Sequence, residues 1–155
     1  GQFKCLDLAF KALKMGFKEL NKRNYRKFLI IDGDNEIGIA SIQKCLTQHD
    51  THKIIIGYRL KIKRIAERIV NQYFRYKYGI YDLMCGVKCG DMELYNEKNH
   101  LEFGIDFFKF DKIDKGDIYN FQIDLNSRKE TRLGNPLRVN VSLIINLMKF
   151  LIQKK

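Results

Sequence analysis

The stretch Phe28-Leu29-Ile30-Ile31-Asp32-Gly33-Asp34 constrains the fold of this chain more than any other. An unbroken apolar run leads directly into two aspartates one residue apart. A short run of this kind suits a strand covered on both faces, as in the parallel sheets of α/β proteins. Ligands in such sheets bind just beyond the carboxyl ends of the strands, which is where Asp32 and Asp34 fall. Two carboxylates on one turn can share a hard divalent cation, and Mg2+ or Mn2+ is commonly held by one or two carboxylates together with substrate phosphates. Asp and Gly also build ordinary solvated turns, so the motif alone leaves both readings open.

The rest of the chain alternates helical and strand patterns. Phe3, Leu6, Phe10, Leu13, Phe17 and Leu20 recur at helical spacing and mark a helix packed on a sheet, with a membrane-surface helix as the alternative. A strand is expected over 27–31, a helix over 37–46, a second buried strand over 53–59 and a helix over 62–78 that Gly79 stops. Residues 82–88 read as loop, 101–110 as a helix whose aromatics could instead make a strand, 118–125 as a strand, and 139–152 as a closing amphipathic helix. Helices alternating with buried strands argue for an α/β fold with right-handed crossovers.

At 155 residues one domain is expected. The net charge of +11 implies an anionic partner: nucleic acid, a phosphorylated ligand or an anionic membrane surface. The charge is uneven. Arg59, Lys61, Lys63, Arg64, Arg68, Arg75 and Lys77 face Glu67 alone, whereas 82–124 is acid-rich and the chain turns basic again from Arg128. No apolar run approaches the roughly 20 residues that span a bilayer, and no secretory signal is visible, so reduced thiols and a cytoplasmic location are expected. Cys85 and Cys89 could seed a zinc site, but buried thiols are the simpler reading.

The order of landmarks is more specific than any one of them. After the Asp32-Gly33-Asp34 strand come Ile55-Ile56-Gly57-Tyr58-Arg59, a helix with Arg64, Arg68 and Asn71, then Gly79-Ile80-Tyr81-Asp82-Leu83-Met84-Cys85-Gly86-Val87-Lys88, and late in the chain Asn126-Ser127-Arg128 and Arg132-Leu133-Gly134. This series resembles the family 2 inverting glycosyltransferases of the GT-A fold, and within them the polyprenyl-phosphate sugar synthases of the dolichyl-phosphate mannose synthase type. The resemblance covers nearly all of residues 1–155 as a single domain. It implies a Rossmann-like GT-A sheet with flanking helices. It also implies Mg2+- or Mn2+-dependent transfer of a sugar from a nucleotide-sugar donor to a polyprenyl-phosphate or glycan acceptor, at the cytoplasmic membrane face. Asp32 and Asp34 match the motif that binds the metal–diphosphate. Arg59, Arg64 and Arg68 match positions that contact the acceptor's phosphate or the donor's diphosphate. Asp82 matches the aspartate of the turn near the sugar, where it orients a hydroxyl or supports the loop. Arg128 and Arg132 match the late basic motif that closes over the site. For Arg64 and Arg68 a solvated helix face is the competing reading.

The pattern departs from the family in two places. The chain begins just before the helix that precedes the Asp-x-Asp strand, so the base-binding amino-terminal strands of a complete domain are not in it, and an apolar edge at 27–31 is expected. The family's proline-containing phrase after the motif is replaced by Asn35-Glu36-Ile37-Gly38. Two other functions stay open: a non-catalytic subunit that docks on a partner chain completing the sheet, and a metal-dependent nuclease of the PIN/NYN type drawing on Asp82, Asp106 or Asp124. Nucleic acid is the less favoured partner, because a nuclease leaves the 82–88 turn unexplained.

Overall fold

A computed structural model of the protein describes residues 2–32, 37–97, 104–123 and 136–153. It contains helices α1 (Gln2–Lys22), α2 (Ile39–Gln48), α3 (Ile65–Tyr78) and α4 (Pro136–Gln153), and strands β1 (Lys27–Ile31), β2 (Ile54–Tyr58), β3 (Val87–Asp91) and β4 (Ile118–Gln122). The strands form one sheet in the order β1-β3-β2-β4. The fold is mixed α/β, with helices flanking a four-stranded mixed sheet. Among the described residues, no helix is long and apolar enough to cross a membrane.

Apolar patterning explains most of this. Ile54, Ile55 and Ile56 of β2 are fully buried, as a central strand covered on both faces requires. On α1, Phe17 meets Phe28 of β1 edge-to-face at 4.8 Å between ring centroids, and Leu13 and Leu20 pack beside it. The part of the α1 stripe from Leu13 to Leu20 is therefore a packing face toward the sheet. Helix α3 ends at Gly79, whose φ of +79° is cheap only for glycine; its N–H donates to the Arg75 carbonyl and the Ile80 N–H to the Phe74 carbonyl.

The sheet departs from the expected parallel arrangement. β2 and β4 are parallel, but β3 runs antiparallel to both β1 and β2. The cause lies in residues 79–86. Asn120, midway along β4, receives the Tyr81 N–H and donates to the Gly79 carbonyl, while Asp82 is held by Arg59 just beyond β2. This segment returns the chain to the carboxyl end of β2 before β3 starts, so β3 must run against its neighbours. The loop expected over 82–88 therefore ends inside a strand.

The helix expected over 101–110 is not what forms in its described part. Gly104 takes φ +66°, and Phe108 bridges to Tyr95 in extended backbone. Phe107 joins the Phe17–Phe28 cluster while Phe110 packs against Phe74 and Phe150. Extended chain can send near-neighbour aromatics to different clusters, and one helical stripe cannot.

β1 pairs only with β3 among the described residues, which leaves its other edge open as expected. A groove of about 430 Å3 runs between this edge and α1, lined by Ala12, Leu13, Gly16, Phe17 and Leu20 and by residues 28–32.

Candidate anion-binding site at the carboxyl ends of the strands

Three elements deliver their polar residues to one end of the sheet. β1 ends at Asp32, β2 runs into Arg59, and the turn before β3 carries Asp82, Gly86 and Lys88. The Asp32 N–H donates to the Gly86 carbonyl at 3.0 Å. The Asp32 carboxylate lies over Gly86 so closely that a Cβ there would come within 2.1 Å of Oδ2. Asp32 is exposed and marks the end of the groove beside β1.

Arg59 and Asp82 form the centre of a buried polar network. Arg59 Nε and Nη2 donate to the two Asp82 oxygens at 2.7 and 3.0 Å, and the Arg59 backbone N–H adds a third bond at 3.2 Å. Asn71 of α3 donates to Asp82 Oδ1 and accepts the Leu83 N–H, both at 3.0 Å. Arg59 also reaches Glu67 at 3.2 Å, and Arg64 donates to the other Glu67 oxygen. Asp82 is wholly buried. Burial alone would lower the Arg59 guanidinium, but the hydrogen bonds and charge of Asp82, with the charge of Glu67, outweigh it and hold it above its ordinary value. Asp82 thus has no unshared oxygen with which to act on a ligand. Its role here is to clamp the 79–86 turn to β2 and α3. Gly57 lets the turn lie close on β2, since a Cβ there would come within 3.0 Å of Cys85 Sγ, and within 2.5 Å of Ile123 Cγ2.

Lys88 is the residue the sequence reasoning passed over. Its ammonium donates to the Cys85 carbonyl at 2.6 Å and stands 6.0 Å from the Phe107 ring. Burial holds its pKa below the usual lysine value, and the charges of Asp32 and Asp82 oppose that shift. A partly buried cation at the ligand-binding end of a sheet, near enough to Asp32 and Asp82 to feel their charges, suits an anionic group. The signal available in the sequence was the Gly86-Val87-Lys88 phrase, which a loop reading hides.

The remaining expected site residues divide clearly. Arg64 is taken up by Glu67, and Arg68 donates to the Ile62 and Lys63 carbonyls, fixing the approach to α3. Asp34, Asp124, Arg128 and Arg132 lie outside the described residues. Among the described residues there is no group of three His, Cys, Asp or Glu side chains that could hold a metal ion. Asp32 has the right chemistry and position for one carboxylate ligand, whereas Asp82 is saturated. Cys85 and Cys89 are buried free thiols, and burial pushes Cys85 up to about 11, which makes it inert.

Comparison with protein-family models, curated proteins and solved structures returned no match.

A second recess adjoins the network through Asn71. It measures about 600 Å3 and is lined by Arg68, Gln72, Arg75, Tyr76 and Tyr81 among others. The Arg75 guanidinium lies over the Tyr81 ring at 4.4 Å, and Tyr58 packs against Tyr81 at 5.4 Å. Arg68 and Arg75 make this recess basic, and Tyr76 and Tyr81 give it aromatic walls.

Proposed function

We propose that this chain carries the diphosphate- and acceptor-binding side of a metal-dependent glycosyltransferase of GT-A architecture. It would transfer a sugar from a nucleotide donor to a polyprenyl-phosphate or glycan acceptor at the cytoplasmic membrane face. The observation that carries the reading is the convergence of Asp32, Arg59 and the Asp82-to-Lys88 turn at the carboxyl end of one sheet. These residues come from separate parts of the sequence, and the resemblance picks out most of them.

In this reading Asp32, together with Asp34, holds Mg2+ or Mn2+, which when bound offsets the charge that develops on the departing nucleoside diphosphate. Lys88 supplies a desolvated positive charge beside Asp32 for a phosphate oxygen. Asp82 is a positioning residue, which keeps Arg59 and the turn in place. Arg128 and Arg132 are the closing basic groups. A phosphate acceptor is already anionic, so no general base is required of Asp82. Joined to the amino-terminal strands that the resemblance implies and supplied with UDP- or GDP-hexoses, Mn2+ and polyprenyl phosphate, the chain is expected to yield a glycosylated lipid by mass spectrometry, and Asp32→Asn to abolish it. No product from any of these donors would contradict the proposal.

The open outer edge of β1 favours a second reading, in which the chain is a subunit whose sheet is completed by another strand. A paired strand there would cover the groove beside α1.

A further inference from the structure

We infer that α3 and α4 together form a face that lies on anionic phospholipid surfaces. The two helices run side by side in the same direction. Near their starts the Ala66 N–H meets Asn140 Oδ1 at 3.4 Å, and further along Phe74 packs on Phe150 at 5.3 Å. Their inner sides are filled by Val70, Phe74, Leu143, Leu147 and Phe150.

Each helix also carries an apolar stripe that nothing described covers. On α4 it is Val141, Ile145, Met148 and Ile152, spaced at i, i+4, i+7 and i+11; on α3 it is Ile65 and Ile69, one turn apart. All six are 47–69% exposed. Periodicity puts the α3 stripe on the far side of that helix from Glu67 and Asn71, so it is distinct from the Asp32 site.

Charge identifies the occupant. α4 contains no acidic residue, and the only acid on α3, Glu67, is buried between Arg59 and Arg64. Lys63 and Arg68 flank the α3 stripe, and Lys149 follows Met148. On its own two helices the aliphatic stripe is edged by cations alone, and the acids nearest α4 (Glu97, Asp106 and Asp111) line a recess with Gln153 and the buried Phe150; such a stripe fits the boundary between acyl chains and anionic headgroups. A second copy would bring the same positive charge, and the stripe lacks the tryptophan and arginine anchors that protein interfaces favour. With no spanning helix among the described residues, the contact is interfacial. The inference does not rest on the chemistry proposed at Asp32.

The test is cosedimentation of the protein with vesicles of phosphatidylcholine alone or containing 30% phosphatidylglycerol. Binding is expected only to the anionic vesicles. The double variant Ile145→Glu/Met148→Glu should reduce it at least tenfold, and Lys149→Glu roughly fivefold. Lys14→Glu, on α1, should leave it unchanged. Both altered apolar positions are exposed, so an unchanged circular dichroism spectrum and melting curve are expected for the double variant. Equal binding to neutral vesicles, no binding, or binding that survives the double variant would overturn the inference. So would a lipid-free dimer in light scattering that the double variant dissociates, which would assign the face to self-association.

Discussion

Asp82 is the residue on which the site geometry turns. Its carboxylate takes three bonds from Arg59 and one from Asn71 inside a dry environment. Removing one partner of a buried pair leaves the other charge uncompensated, at a cost of about 3 kcal/mol or more. Asp82→Ala is expected to lower unfolding free energy by about that amount in urea titrations. Gly57→Ala should cost about 1–3 kcal/mol through the clash with Ile123. Lys88 gives a pH signature. Its folded pKa lies below the unfolded value, so the unfolded chain binds more protons between the two, and stability contributed through Lys88 rises as pH climbs toward the ordinary lysine value of 10.5. Measured against Lys88→Met, which removes this linkage, the native protein should gain relative stability as pH rises toward the ordinary lysine value of 10.5. A difference independent of pH would mean that the ammonium is solvated. At this scale the sequence singled out Asp32, Arg59 and Asp82 through their order along the chain, and the fold places them at one end of the sheet. It did not reveal Lys88, or that Asp82 and Arg59 are consumed by each other, because those facts depend on which turn folds onto which strand.

Elements with a strong period were the legible ones. α1, α3, α4, β1, β2 and β4 all appear close to where apolar spacing put them. β3 was invisible because Val87-Lys88-Cys89-Gly90-Asp91 has neither alternation nor β-branched density, and its strand character comes from neighbours that supply ladders on both sides. Residues 101–110 misled for the opposite reason: many aromatics imitate a stripe although they serve different clusters. Gly79 shows what local chemistry can decide. Its left-handed conformation should make Gly79→Ala cost about 1–2 kcal/mol in thermal or urea unfolding, with no change in secondary structure content.

Among the described residues the sheet has two strands, β3 and β2, paired on both sides and two, β1 and β4, each with an unpaired outer edge. Hydrogen exchange should reflect this, with β3 amides among the slowest and the outward amides of β1 exchanging near loop rates. Uniform protection along β1 would mean that its edge is already paired. The parallel sheet expected from buried apolar runs became a mixed one because the 79–86 segment returns the chain to the end from which it came. That return also brings Asp82, Gly86 and Lys88 to Asp32 and Arg59, so the topology that sequence patterning missed is the one that assembles the site.

The most direct test of that assembly is calorimetric titration with pyrophosphate, UDP and GDP, with and without Mn2+. Mn2+-dependent binding is expected, lost in Asp32→Asn and weakened in Lys88→Met. Pyrophosphate should bind as the nucleotides do, because in the proposed function it is the diphosphate that the groups at this site address. No metal-dependent binding of any of the three, or binding indifferent to Asp32→Asn, would contradict it.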